Sequence, residues 1–138
     1  MKKFLPLIAC FIVFSCISCQ KYIEKQAEKK VLEAMTTGIW IVEQFLEDTA
    51  DITTQFLNYD FRFFENGTVT GTIGTNVANG TWVANTSNYS ITSEFPSAGN
   101  PLEKLNATWV IKDSYWDFVK AETATSNGKN VLRLRKKP

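Results

Sequence analysis

The chain has 138 residues, with 15 Lys and Arg against 14 Asp and Glu and no histidine. This near-neutral balance excludes the basic footprint by which proteins bind nucleic acid. The absence of histidine removes the usual general base and the usual metal ligand, so we expect no enzyme activity, no metal site and no cofactor. The length suits one domain with a modest core.

The first residues have the pattern of an export signal. Met1-Lys2-Lys3 precedes an apolar run from Phe4 to Phe14, and a stretch of small residues ends at Cys19. The run is shorter than the roughly 20 apolar residues that a transmembrane helix needs. A charged start, an apolar middle and a small-residue cleavage zone are typical of a removed signal peptide. We therefore assign residues 1–18 to a signal peptide.

All three cysteines, Cys10, Cys16 and Cys19, lie in or beside this segment. Cleavage before Cys19 leaves one cysteine, which excludes a disulfide framework in the mature chain. The sequence Cys16-Ile17-Ser18-Cys19 resembles a bacterial lipobox, whose last cysteine is acylated, although Cys16 stands where leucine is usual. We predict lipidation at Cys19 and an extracytoplasmic location on the bacterial outer membrane. Two alternatives are acylation at Cys16, after Val13-Phe14-Ser15, and an ordinary signal peptide with incidental cysteines.

Residues 19–37 are expected to join the lipid to the domain. Within them, Lys21 to Met35 has a helical pattern, because an apolar residue recurs at every fourth place without an intervening Gly or Pro. This helix has two interpretations. It is either a spacer that lifts the domain off the lipid, or a helix that packs along the barrel or frays without a partner.

From Gly38 the apolar period changes from four to two, and turn residues recur every eight to twelve positions, as expected for an all-β sandwich or barrel. The pattern predicts eight strands, at Gly38 to Leu46, Gln55 to Phe64, Thr68 to Ile73, Gly80 to Ala84, Tyr89 to Phe95, Thr108 to Lys112, Tyr115 to Ala121 and Val131 to Arg135.

Turn chemistry connects these strands. Asn66-Gly67, Asn79-Gly80 and Asn127-Gly128 are typical of tight hairpins, and the longest connection, Pro96 to Asn106, can include a helical turn at Leu102 to Leu105. Strands joined mainly by hairpins close most simply into an up-and-down barrel, which leaves no exposed sheet edge. We therefore predict an all-β fold over residues 38–138, an eight-stranded antiparallel up-and-down barrel.

Alternation indicates which side chains face inward. Phe61 and Phe63 lie opposite Arg62, and Asp117 is placed outward between its aromatic neighbours. Asp48 and Asp51 are expected to stabilise a turn through their side chains. The aromatic residues predicted to line the barrel interior or contact a ligand are Trp40, Tyr59, Phe61, Phe63, Trp82, Trp109, Trp116 and Phe118.

Several segments together carry a family resemblance: Gly38-Ile39-Trp40, the hairpin from Tyr59 to Val69, Gly80-Thr81-Trp82 and Pro101 to Asn106. In this order they resemble the lipocalin-like lipoproteins of Bacteroidetes-type bacteria, and the likeness covers most of the chain after the signal. It implies a lipocalin-like barrel held on the membrane by lipid. The second lipocalin signature, Thr-Asp-Tyr, is missing, and such lipoproteins mostly lack an assigned activity.

Two functions fit these features. The first is a binding module, because an eight-stranded barrel either holds one small apolar ligand or is filled by its own side chains. If a ligand is held inside, we expect it at the mouth that the Pro96 to Asn106 loop can cover, since no assigned inward position is charged. The alternative is an interaction or inhibitor module with a filled core, which meets an envelope protein through loops at the barrel mouth.

Overall fold

The computed structural model describes residues 26–138, so the predictions for residues 1–18 and Cys19 lie outside the described part. An α-helix, α1, covers residues 26–36. No helix among these residues has the length and apolar character needed to cross a bilayer. After α1 come nine strands and two 3-10 helices. The strands are β1 Trp40–Glu47, β2 Ala50–Asp51, β3 Asp60–Phe63, β4 Thr68–Ile73, β5 Asn76–Asn85, β6 Ser90–Glu94, β7 Ala107–Tyr115, β8 Phe118–Thr125 and β9 Gly128–Lys136. The 3-10 helices are Thr53–Phe56 and Leu102–Leu105.

The strands form one antiparallel sheet that closes on itself. From β3 to β9 each strand pairs with the next along the chain. The last strand, β9, then pairs with β1, with Lys136 opposite Trp40 at one end and Asn130 opposite Glu47 at the other. The two-residue β2 pairs with the end of β1 and lies outside this ring. The other eight strands therefore confirm the predicted eight-stranded antiparallel up-and-down barrel.

The second predicted strand is shorter than expected. Its first two residues, Gln55 and Phe56, belong to the 3-10 helix Thr53–Phe56, and only Asp60–Phe63 is a strand. The Asp51 carboxylate explains this, because it accepts hydrogen bonds from the backbone N–H and the hydroxyl of Thr53 and so begins a turn. Phe56 then enters the core and stacks on Phe45 with 5.2 Å between ring centres.

The predicted turn at Asn79-Gly80 is wrong. Both residues lie within β5, and the hairpin turns instead at residues 74 and 75, where Gly74 has a positive φ of 58°. Gly80 is required for a different reason. A side chain there would overlap the carbonyl oxygen of Glu94 and come within 2.9 Å of the Phe95 ring. Glycine at this position therefore allows close packing between neighbouring strands.

The inward face of β8 is also displaced by one residue from the prediction. Val119 and Ala121 are buried, whereas Phe118 pairs with Arg135 and lies on the outer face beneath its guanidinium. The alternation fails because Trp116 and Asp117 form the two-residue turn between β7 and β8, where the period of two does not hold. The predicted interior positions of Trp116 and Phe118 are therefore wrong.

Candidate functional site

The barrel interior is almost completely filled. Five of the predicted interior aromatics, Trp40, Phe61, Phe63, Trp82 and Trp109, are buried, and Tyr59 is partly buried beside Phe61. The space that remains among the inward side chains is a cavity of about 40 Å³. This is far below the roughly 300–1,000 Å³ of small-molecule sites, so the interior does not form a ligand pocket of ordinary size. The predicted burial of these five aromatic residues is confirmed. Their role in ligand binding stays a prediction.

One end of the barrel is closed by the connection from β6 to β7, and we call it the loop end. Leu102 and Leu105 of the second 3-10 helix are buried there together with Phe56. The carbonyl oxygen of Leu105 accepts hydrogen bonds from the Ser93 hydroxyl at 2.6 Å and the Trp109 indole N–H at 3.0 Å. These bonds hold the loop in the core. The mouth at which we expected a ligand is therefore sealed.

The other end, the helix end, is closed by α1. Met35 is buried and faces the interior cavity, and its carbonyl oxygen accepts a hydrogen bond of 3.0 Å from the indole N–H of Trp40. Val31 and Leu32 pack against the same core, whereas residues 26–30 are exposed. Of the two interpretations of the helix, packing against the barrel therefore holds for its last two turns.

A groove lies at the helix end between α1 and the strands. Its volume is about 420 Å³, which falls within the roughly 300–1,000 Å³ of small-molecule sites. One wall is the α1 surface around Val31 and Ala34, and the other is formed by the ends of β6, β7 and β8. Apolar and aromatic side chains dominate the lining, which consists of Lys30, Val31, Glu33, Ala34, Met35, Trp40, Ile91, Ile111, Ser114, Tyr115, Trp116 and Val119.

Lys136, which the sequence pattern predicts to lie in a solvated, frayed C-terminal tail, belongs instead to β9 and lies behind this groove. Lys136 pairs directly with Trp40 and so faces inward, which continues the alternation of Leu132 and Leu134. Its Nζ atom lies 3.7 Å from the ring centre of Trp116 and 5.3 Å from that of Trp40. The Nζ atom is buried and has no hydrogen-bond partner among residues 26–138. The helix end therefore contains an ammonium group enclosed by two indoles.

Burial lowers the pKa of Lys136 below its ordinary value, because the charged form loses water, and the Asp117 carboxylate offsets part of this effect. Between this lowered pKa and the ordinary lysine value of about 10.4, the unfolded chain binds more protons than the folded chain. The free energy of unfolding should therefore rise with pH through that window and be flat below it.

We expect Lys136→Met to be slightly more stable than the wild type at neutral pH, since an apolar side chain replaces a cation whose Nζ atom has no hydrogen-bond partner within residues 26–138. This advantage should shrink as the pH rises through the window. Urea unfolding at neutral and alkaline pH measures it, with Lys137→Met as the control, because Lys137 is exposed and bonded to Asp60. Parallel pH profiles of wild type and Lys136→Met would contradict the assignment.

Two acidic side chains near the first hairpin, Asp48 and Asp51, have structural partners. Asp51 begins the turn already described, and the hydrogen bonds from Thr53 lower the pKa of its carboxyl. Asp48 accepts a hydrogen bond from the Thr125 hydroxyl. The predicted turn role of Asp51 is thus confirmed, whereas the Asp48 side chain bonds to the distant Thr125. Across residues 26–138 no group of three or more His, Cys, Asp or Glu side chains is placed to hold a metal ion.

The site thus belongs to a closed eight-stranded antiparallel barrel with a filled interior and a groove under its N-terminal helix. No family model and no curated protein matches the sequence. Among solved structures, the chain is similar to a DUF4847 family protein from Bacteroides vulgatus, with a TM-score of 0.54 and 16% identity over 78% of this chain and 99% of the other. At this identity the likeness shows the fold alone.

Proposed function

We propose that the protein is a lipid-anchored lipoprotein of the cell envelope, with a lipocalin-like barrel, and that it binds a small apolar ligand in the groove between α1 and the helix end. The observation that carries this proposal is the contrast between the two spaces. The interior holds about 40 Å³, whereas the groove holds about 420 Å³. The barrel therefore serves as a rigid support, and binding takes place at its end rather than in its interior.

The placement of the groove is consistent with a lipid anchor. The export-signal pattern supports Cys19 as the lipidated residue, and α1, which forms one wall of the groove, follows Cys19 in the chain. A ligand in this groove would contact the same helix that leads toward the lipid. This arrangement supports an extracytoplasmic protein on the outer membrane that meets apolar molecules close to the bilayer.

The test of the groove is to fill it. We expect Ala34→Phe to weaken binding of the uncharged probe ω-bromododecanol at least tenfold, because the new ring occupies the space along the α1 wall. Binding is followed as quenching of tryptophan fluorescence by bromine in the full exported chain, held in lipid nanodiscs if it is lipidated. Trp40 and Trp116 both line the groove and act as reporters.

Two matched variants serve as controls. Ala27→Phe places the same ring on the exposed part of α1, and Ala98→Phe places it at the loop end. Neither should change the quenching curve. Equal loss of quenching in Ala98→Phe, or quenching that survives in Ala34→Phe, would place the ligand elsewhere and contradict the proposed site.

An interaction module with a filled core is the second candidate. Large aromatic side chains are exposed at the helix end, namely Tyr115 at 74%, Tyr89 at 70% and Trp116 at 50%. Aromatic residues exposed together are enriched at protein contact sites. If no apolar probe quenches the tryptophans, this surface becomes the favoured functional element, and photocrosslinking from position 115 in intact cells would identify an envelope protein that contacts it.

A further inference from the structure

We propose that the groove recognises an amphiphile with a single apolar chain and a carboxylate head, and that Lys136 binds the head. This inference rests on the proposed function and adds the chemical class of the ligand. The juxtaposition that carries it is a buried ammonium with no hydrogen-bond acceptor in the described part of the chain, separated by two indoles from an apolar groove of about 420 Å³.

The ammonium of Lys136 lacks what a buried cation normally has. A buried charge is ordinarily paired or hydrogen-bonded, because losing water disfavours the charged form. The rings of Trp40 and Trp116 supply cation–π attraction, but no oxygen within residues 26–138 accepts a hydrogen bond from Nζ. A carboxylate supplies both the missing negative charge and the missing acceptors.

Three acidic side chains near the end of the chain are engaged on the outer face of the barrel. Glu43 bonds to Arg135 at 2.9 Å, Asp117 contacts the same guanidinium at 3.5 Å, and Asp60 bonds to Lys137 at 3.1 Å. These carboxylates neutralise Arg135, which points outward from β9, and Lys137, the residue that follows β9. Lys136 is the inward member of this basic segment. Asp117 attracts its charge but does not bond to Nζ, so an acceptor for Nζ is still missing within residues 26–138.

Trp116 controls access from the groove to the ammonium. It covers Nζ and lines the groove, and it is half-exposed in the two-residue turn between β7 and β8. Movement of this indole toward solvent would expose Nζ to the groove without disturbing a strand. The chain of the amphiphile would then lie along Val31, Ile111 and Val119, which are apolar.

The groove wall carries one basic and one acidic side chain, so its net charge adds little preference for one ligand head group over another. Lys30 and Glu33 both line the groove and lie on exposed turns of α1. Charges exposed to water interact weakly, whereas a desolvated ammonium interacts strongly with an anion. Preference for a carboxylate over a neutral head should therefore come from Lys136.

The experiment compares two probes that differ only in the head group, ω-bromododecanoate and ω-bromododecanol. Both are titrated at neutral pH against the tryptophan fluorescence of the full exported chain, held in nanodiscs if it is lipidated. We expect the carboxylate to bind about tenfold more tightly or better, as a charge-assisted hydrogen bond allows. Lys136→Met should abolish the preference by weakening carboxylate binding, while Lys136→Arg should retain it.

Lys137→Met is the matched control, because Lys137 is the adjacent lysine and bonds to Asp60 on the outer face. It should keep the full preference. Equal affinity of the two probes for the wild type, or a preference that survives in Lys136→Met and disappears in Lys30→Met, overturns the inference while the groove itself stands. Failure of both probes to bind overturns the proposed ligand site as well.

Discussion

Replacing Cys19 with serine is expected to abolish incorporation of radioactive palmitate into the protein. The sequence turns from apolar to polar at this residue, and cleavage before it leaves Cys19 as the one cysteine of the mature chain. Acylation needs a thiol, which serine lacks, so the label should fall to background. Gel autoradiography of labelled cells measures this loss, and mass spectrometry of the N-terminal peptide identifies the modified residue.

Cys16→Ser is the control for this experiment and should remain fully labelled. Label that survives in Cys19→Ser and disappears in Cys16→Ser would move the lipid to Cys16. A wild-type protein without label would indicate an ordinary signal peptide. In that case the barrel and its groove stand, and the membrane anchor does not.

Trp40→Ala is expected to remove about 3–5 kcal/mol of stability, the usual cost of truncating a buried aromatic residue. Trp40 has no exposed surface, and its indole N–H holds the carbonyl oxygen of Met35. The substitution leaves a cavity beneath α1 and removes the bond that fixes the helix over the mouth. Because a domain of this size is stable by only about 5–15 kcal/mol, the variant should unfold at much lower urea.

The control is Trp116→Ala, which removes the same side chain from a half-exposed turn. We expect a loss below about 1 kcal/mol there, because most surface substitutions have small effects. If Trp40→Ala proves too unstable to purify, Trp40→Phe should show an intermediate loss. Equal losses at positions 40 and 116 would contradict the role of Trp40 in the core.

Elements bounded by strong turn chemistry were predictable from the sequence. The strand Thr68–Ile73 has its predicted bounds, because Asn66-Gly67 ends the preceding hairpin arm and Gly67 adopts the required positive φ of 86°. Asn79-Gly80 has the same local pattern and lies within a strand. There the glycine is required because its strand packs closely against Phe95. This is a tertiary contact, which no local sequence pattern contains.

The candidate site was predictable only in part. The alternation of Leu132 and Leu134 extends to Lys136 and would have placed this lysine inward, but the predicted strand ended at Arg135. The expectation that the inward positions are uncharged is therefore wrong. The role of α1 needed the structure, because the periodicity of Val31 and Met35 predicts an apolar face without indicating which surface covers it.

The most direct test of the central claim, that the ligand site lies under α1 and outside a filled barrel, is anomalous X-ray diffraction from crystals soaked with ω-bromododecanoate. The bromine marks the chain and the electron density shows the head. We expect the bromine peak within the groove beside Val31 or Ile111 and the carboxylate in contact with the Nζ atom of Lys136. A peak between Phe61 and Leu132 in the barrel interior, or one beside Ala98 at the loop end, would contradict this account.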